Sequence, residues 1–330
     1  MSIISGILKK VIITGSSGFI GRHLVKRILT YDKCSVVLIA NRANLVDREL
    51  KGTMPLSFYN ADIRDRKAIS DIFLDERADT CVHLAAKISV SDSIKNPDET
   101  MDINVKGTLN VLEACYNSQV NNFIFASSAA VYGDVRELPI SEKHTLEPLS
   151  PYGISKMLAE QHVSSFSKLK KIHNAVMLRI FNVYGNGQVG EADVISKFAA
   201  RLSKGLPPVI YGDGVHTRDY IAVDDVVDSI LLSIRLMEER DNKSDNHPSS
   251  PMVFNIGTGK PTSVNELAQK MTEIFGLDLQ PIHEGGTEDG KVILHSYADM
   301  TKAKEILHFV AKKGIEDGLR EMIGSILVRE

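Results

Sequence analysis

The apolar run Lys10-Val-Ile-Ile-Thr14 breaks off into Gly15-Ser-Ser-Gly18-Phe-Ile-Gly21, and a helical pattern begins at once. A short, continuously apolar run before such a turn predicts a buried parallel strand, and Ile20 to Thr30 the helix that follows. Glycines at this junction meet three needs of a dinucleotide fold: a tight turn, close approach of backbone to a pyrophosphate, and packing of helix on strand. The helix N-terminus adds N–H donors and a positive dipole end. The spacing is Gly-x-x-Gly-x-x-Gly rather than Gly-x-Gly-x-x-Gly. Gly15, Ser17, Gly18, Phe19, Ile20 and Gly21 are the candidate cofactor residues here, with a purely structural strand-to-helix turn as the alternative.

Strand and helix patterns continue to alternate. Strands are predicted at Ser35–Ala40, Thr80–Ala85, Phe123–Ser127 and Asn174–Ile180. Helices are predicted at Ala68–Asp75, Pro97–Cys115, Tyr152–Leu169 and Asp224–Glu239. Regular β-α-β alternation with apolar strands predicts an α/β protein with a doubly wound parallel sheet covered on both faces. After Asn182 the texture changes to glycine-marked loops and short elements, which predicts a smaller C-terminal α/β lobe. The expected division is 1–180 with 216–257 for dinucleotide binding, and 181–215 with 258–330 for the second lobe.

Bulk properties narrow the classes. A net charge of −3 over 330 residues gives no field that gathers nucleic acid or anionic membrane. No apolar run reaches the ~18 residues needed to span a bilayer, and the N-terminus carries no signal-peptide pattern. Cys34, Cys81 and Cys115 are scattered, with neither metal-ligand spacing nor a disulfide framework. These features predict a cytoplasmic protein without a metal.

Tyr152 and Lys156 are four residues apart on a predicted helix and share one face. A phenol ordinarily titrates near ~10, and a neighbouring ammonium lowers that value. Tyr152 thus predicts an acid/base, with Lys156 supporting it and also holding a ribose. Ser128 ends an apolar strand, where ligands gather in open parallel sheets; its hydroxyl could bond a substrate oxygen, or simply cap a turn. At the end of the second strand, Ala40-Asn41-Arg42 lacks the carboxylate that bonds the adenosine ribose in NAD binders. Asn41 could bond ribose hydroxyls, and Arg42 could meet a 2′-phosphate or lie solvated, so NAD and NADP both stay open. Asp62-Ile63 suits the adenine.

The chain resembles the extended short-chain dehydrogenase/reductases, in particular the NAD-dependent nucleotide-sugar epimerases and dehydratases of the UDP-glucose 4-epimerase type. The resemblance rests on the glycine turn, His83-Leu-Ala-Ala86, Asp102-Ile-Asn104-Val-Lys-Gly-Thr108, Ser127-Ser-Ala-Ala-Val-Tyr-Gly133 and Ser150-Pro-Tyr-Gly-Ile-Ser-Lys156. It continues through Leu178-Arg-Ile-Phe-Asn-Val-Tyr-Gly185, Tyr211-Gly-Asp-Gly214, Thr217-Arg-Asp-Tyr220 and Asn255-Ile-Gly-Thr-Gly259.

The resemblance implies Ser128, Tyr152 and Lys156 as catalytic residues, and Leu84, Ala85, Ala86 and Asn104 as further cofactor residues. It implies Asn182, Tyr211, Arg218, Lys291 and Ser296, together with Ser128, as substrate residues. Dehydratases and decarboxylases of the group carry an acid just after the serine; Ala129-Ala130 stands there and cannot move protons. The implied reaction is therefore 4-epimerisation of a UDP-hexose. It proceeds by oxidation at carbon 4, rotation of the 4-ketose and return of the hydride from its other face.

Two departures bear on substrate. The segment His283-Glu-Gly-Gly-Thr-Glu-Asp-Gly-Lys291 lacks the family's second phosphate arginine, and Lys291 could replace it only as a point charge. Ser296 falls where epimerases restricted to glucose and galactose carry a tyrosine, which leaves room for an acetamido group. A homodimer through the helices starting near Pro97 and Tyr152 is expected from the family, with Met157, Leu158 and Phe166 as candidate contacts or, equally, core residues. Competing readings are an NADP-dependent keto-sugar-nucleotide reductase, a UDP-glucuronate 4-epimerase and a non-catalytic cofactor-binding regulator.

Overall fold

The computed structural model describes residues 9–30, 34–41, 56–135, 137–188, 193–241, 250–285 and 293–327. The first half is built of parallel strands joined mostly through helices. Strand β1 (Lys10–Thr14) leads to helix α1 (Phe19–Ile28), β2 (Ser35–Ala40), β3 (Leu56–Asn60), α2 (Arg66–Glu76) and β4 (Thr80–His83). Two short helices follow, α3 (Val90–Lys95) and α4 (Pro97–Met101), then α5 (Gly107–Asn117), β5 (Asn122–Ser128), α6 (Pro151–Lys168) and β6 (Asn174–Ile180).

The second half has shorter pieces: β7 (Asn182–Tyr184), α7 (Val194–Leu202), β8 (Val209–Tyr211), β9 (Thr217–Ala222), α8 (Val223–Asp241), β10 (Met252–Ile256), β11 (Pro261–Ser263) and α9 (Val264–Ile274). It ends with β12 (Ile282–Glu284), β13 (His295–Ser296), α10 (Thr301–Ile306) and α11 (Ile315–Leu327).

Among the described residues the main sheet has seven strands in the order β10-β6-β5-β4-β1-β2-β3, and every pairing is parallel. The chain runs outward from β1 on one side and restarts at β4 on the other. That reversal opens a crevice beyond the carboxyl ends of β1 and β4, the place where such sheets take ligands. Apolar residues alternate between two cores, as a sheet covered on both faces requires. Val11, Ile13, Leu38, Val82 and Ile124 face α1 and α8, while Ile12, Val37, Ile39, Cys81 and Phe123 face α2, α5 and α6.

The long helix expected over Pro97–Cys115 is not uniform. A π-helical turn, Asp102–Lys106, separates α4 from α5. The wider turn carries Asn104 toward the crevice, and Thr108 Oγ1 donates to the Asn104 carbonyl at 2.6 Å.

A second, smaller sheet joins β9 to β7, β11 and β13, and β8 pairs with β12. Residues 217–222, expected in the dinucleotide-binding part, thus pair in the small sheet, because β7 leaves the main sheet after β6 and recruits β9 in parallel. Conversely Ala303, Leu307 and Phe309, expected in the second lobe, pack into the core of the main sheet. Of its two readings, Phe166 takes that of a core residue, on the buried face of α6. No helix among the described residues is long and apolar enough to cross a membrane.

Candidate active site

Gly15 adopts φ +71°, and a Cβ there would stand 2.6 Å from the Ala85 backbone nitrogen. The glycine turn and the segment after β4 therefore touch backbone to backbone at the sheet reversal. A Cβ on Gly21 would meet the Gly15 carbonyl at 2.3 Å, so the first turn of α1 presses on the loop that precedes it. Gly18 differs: the one neighbour its Cβ would meet is the Gly15 carbonyl at 3.1 Å, and its other side is open. That open side, with the N–H groups that begin α1, is a cradle fitted to a pyrophosphate. The residues present fit a dinucleotide of the NAD type.

Behind the cradle runs a buried hydrogen-bond chain. The Ala85 N–H points at Thr14 Oγ1 (3.4 Å), and Thr14 Oγ1 lies 2.6 Å from His83 Nδ1. His83 Nε2 lies 3.0 Å from Thr108 Oγ1. Thr108 already donates to Asn104, so it accepts from Nε2–H, and Nδ1 accepts from Thr14. Burial, with the nearby Lys156 ammonium, pushes the imidazole down to about 3, which keeps it neutral.

Asn104 was expected to meet the cofactor. Its side chain is instead committed to protein. Oδ1 accepts from the Lys87 N–H at 2.8 Å, and Nδ2 donates to the Lys87 carbonyl and to Ser155 Oγ, each at 2.9 Å. It clamps the segment after β4 to helix α6. Asp62 is likewise engaged: its carboxylate accepts from the Arg64 backbone and guanidinium, and this partner lowers its pKa. Ile63 is a core side chain whose position Gly107 accommodates. Asn41 is exposed beyond β2. Arg42 and Lys291 lie outside the described residues.

Helix α6 starts cleanly. Ser150 Oγ accepts from the Gly153 N–H at 3.1 Å, and Pro151 occupies the first turn, where its missing N–H costs nothing. This start sets Tyr152 and Lys156 against β5. Tyr152 is 9% exposed and Lys156 4%. Lys156 Nζ donates to the Ala126 carbonyl at 2.7 Å, and no other hydrogen-bond acceptor meets it among the described residues. Two of its three N–H groups are thus available to a ligand. Burial pulls its pKa down to about 8, while Glu160 opposes that fall.

The phenol behaves otherwise than expected. Burial raises the Tyr152 pKa and the neighbouring Ser128 hydroxyl lowers it, while the Lys156 ammonium is turned to the Ala126 carbonyl. Ser128 also caps the 3-10 turn Ala129–Val131, accepting from the Ala130 N–H at 3.2 Å. The turn-cap reading of Ser128 is thus the one seen in the fold.

Ser128 pairs with Ile180 in the sheet register, so Asn182 emerges at the same edge and opens β7. In the small sheet Arg218 lies beside Ser296 in register. Arg218 donates to the Thr217 carbonyl at 2.8 Å and has no carboxylate partner among the described residues. Its neighbour Asp219 is taken: it accepts from the backbone N–H groups of Thr258, Gly259 and Ala298 and from Thr258 Oγ1. Burial raises the Asp219 pKa against these bonds. Tyr211 is exposed at the end of β8, apart from that sheet.

The spacing of motifs does not reveal a buried polar network between α6 and the main sheet. Glu160 and Arg179 form a two-pronged ion pair, joined by Ser127, Tyr132 and Asn255. One signal existed in sequence: Glu160 continues the four-residue series Tyr152, Lys156.

Comparison with known proteins agrees with this geometry. A protein of Methanocaldococcus jannaschii with the provisional name UDP-glucose 4-epimerase is 36% identical over 317 residues, covering 95% of this chain and 97% of its own. The crystal structure of the Thermotoga maritima UDP-glucose 4-epimerase with UDP-glucose superposes with a TM-score of 0.85 at 34% identity, covering 97% and 99% of the two chains. The UDP-N-acetylglucosamine 4-epimerase of Methanobrevibacter ruminantium, solved with UDP-N-acetylmuramic acid, gives 0.84 at 30% identity, covering 98% and 99%. The sequence profile of the NAD dependent epimerase/dehydratase family matches residues 11–257, which span the glycine turn, Ser128, Tyr152, Lys156 and Arg218. The chain belongs to that family.

Proposed function

We propose that this chain is a UDP-sugar 4-epimerase with resident NAD, interconverting UDP-glucose and UDP-galactose and, through Ser296, the N-acetylhexosamine pair. The observation that carries the reading is the convergence of Ser128, Tyr152 and Lys156 at one strand end, followed by Ala129 and Ala130 in place of an acid. This site can move a proton at a hydroxyl. Ala129 and Ala130 offer no group to shift one at a carbon next to the carbonyl, as elimination requires.

When bound, the nicotinamide supplies the hydride acceptor and donor. The chain's own residues do the rest. Ser128 holds the sugar 4-oxygen beside the Tyr152 phenol. Tyr152 takes the hydroxyl proton as carbon 4 is oxidised, and returns it after the ketose has turned. Lys156 offers its free N–H groups to the ribose, and its charge favours phenolate once a ligand draws it off Ala126. Arg218, with no carboxylate partner among the described residues, meets the diphosphate, and Asn182 contacts the sugar nucleotide. Tyr211 and Lys291 complete the substrate side. Backbone of the segment Leu84-Ala85-Ala86 lines the cofactor crevice, and Asn41 bonds the adenosine ribose.

The working form in this reading is a cytoplasmic homodimer paired through the helical stretch starting at Pro97 (α4 and α5) and through α6. The dinucleotide occupies the main-sheet part and the sugar nucleotide the smaller lobe. The test joins cofactor and product. Purified protein is denatured and the released dinucleotide weighed, while intact protein is incubated with UDP-glucose and with UDP-N-acetylglucosamine. NAD in the supernatant and a 4-epimer formed without added cofactor are expected. Absence of epimer, with NADPH consumed on a 4-keto sugar nucleotide, would overturn the reading.

A further inference from the structure

Lys156 is faced by titratable groups from three elements. Tyr152 and Glu160 share its helix, His83 reaches it from β4, and Arg179 stands behind Glu160 on β6. The Phe125 ring lies 4.9 Å from its ammonium. His83 is neutral, locked between Thr14 and Thr108. Glu160 is therefore the anion that answers the buried lysine charge.

The geometry around Glu160 is closely specified. Arg179 Nε donates to its Oε1 at 2.9 Å and Nη2 to its Oε2 at 2.7 Å, while Ser127 Oγ donates to Oε1 at 2.6 Å. The pair is nearly sealed from solvent, at 4% and 5% exposure. Lys156 and Glu160 grip consecutive residues of β5, Ala126 and Ser127, and Ser128 follows against Tyr152. Positions i, i+4 and i+8 of one helix stripe thus meet three successive strand residues.

We propose that the Glu160–Arg179 pair is a positioning device for this active site: it fixes the register of α6 on β5 and keeps Lys156 charged inside the fold. The inference rests on the epimerase reading only for its kinetic arm. A buried ion pair is a weak stability element compared with apolar packing, so stability alone does not account for one here. Its place does. It lies one helical turn beyond the lysine and one strand residue before Ser128. Burial works against the Lys156 charge, and Glu160 works for it. Arg179 moderates Glu160 and holds its carboxylate in plane for Ser127.

The test reads Lys156 directly. Full-length protein labelled with 13C at the lysine ε-carbon is titrated by NMR, with Lys156 identified by the signal missing in Lys156→Met. Glu160→Gln should lower the Lys156 midpoint by on the order of 1–2 pH units. The alkaline limb of kcat for UDP-glucose should move by the same amount. Glu160→Asp keeps the charge and should return both toward wild type. The double variant Glu160→Gln/Arg179→Gln leaves no unpaired arginine behind and should still lower the Lys156 midpoint, by less than the single change. A folded Glu160→Gln protein whose Lys156 titrates at the wild-type value would overturn the proposal, even if its melting temperature falls. Should the single variant not fold, a wild-type midpoint in the double variant overturns it equally. The titration needs no substrate, so it decides the role of the pair even if wild type epimerises no UDP-sugar.

Discussion

Lys156 donates its ammonium to the carbonyl of Ala126 at 2.7 Å, two residues before Ser128 on the same strand. A side chain expected to serve the cofactor is thereby also a tie between helix α6 and strand β5. Its charge sits in a place where burial holds its pKa near about 8 instead of the usual lysine value of 10.5. If the charged form is the working one, activity should fall with a midpoint near pH 8, well before an exposed lysine would lose its proton. A kcat profile from pH 6 to 10 checks this; a flat profile to pH 10 would contradict it.

Tyr152→Phe removes the phenol hydroxyl proposed to carry the proton, and little volume. A loss of about 10²–10⁴ in kcat is expected, with bound dinucleotide and far-ultraviolet circular dichroism unchanged. Product formation from UDP-glucose, followed by chromatography, gives the measurement.

Arg218→Lys keeps a positive charge but not the fork. Because Arg218 has no carboxylate partner among the described residues, its loss should weaken substrate binding more than folding. KM for UDP-glucose should rise about tenfold or more, with a small change in kcat and in the unfolding midpoint. A fall in stability with unchanged KM would place Arg218 in the scaffold.

Ser296→Tyr tests the acetamido pocket. Ser296 pairs with Arg218 where β13 joins β9 in the small sheet. The larger side chain should depress turnover of UDP-N-acetylglucosamine by about 10-fold or more relative to UDP-glucose. Equal effects on both substrates would refute a role in sugar selection.

His83 predicts an acid limit to stability. Its folded pKa lies at about 3, below the ordinary 6.5. The unfolded chain therefore binds a proton that the folded one refuses as pH falls below 6.5, and stability drops through that window. Between pH 6.5 and 4.5 the difference is about 2–3 kcal/mol. Relative to wild type, His83→Gln should lose less stability over that interval in urea titrations. Identical pH slopes would show that His83 does not carry the effect.

The sequence by itself determined the strand–glycine–helix unit, because apolar continuity and the glycine positions are local properties. Strands β1, β2 and β6 fall where the apolar runs place them, and Ser150-Pro151 marks the start of α6. Tyr152, Lys156 and Ser128 were legible because a four-residue spacing and a strand end survive in one dimension. Tertiary structure decided the rest. A helix pattern does not announce an extra residue in one turn, so the π-helical turn at Asp102–Lys106, and the commitment of Asn104 to Lys87 and Ser155, became visible only once those residues met. The placement of β9 in the small sheet depends on pairing with β7, more than thirty residues away. The Glu160–Arg179 pair joins two elements whose side chains look unrelated in sequence. A buried charge is stable only where the fold delivers its partner, and that delivery depends on long-range contacts that no local pattern encodes.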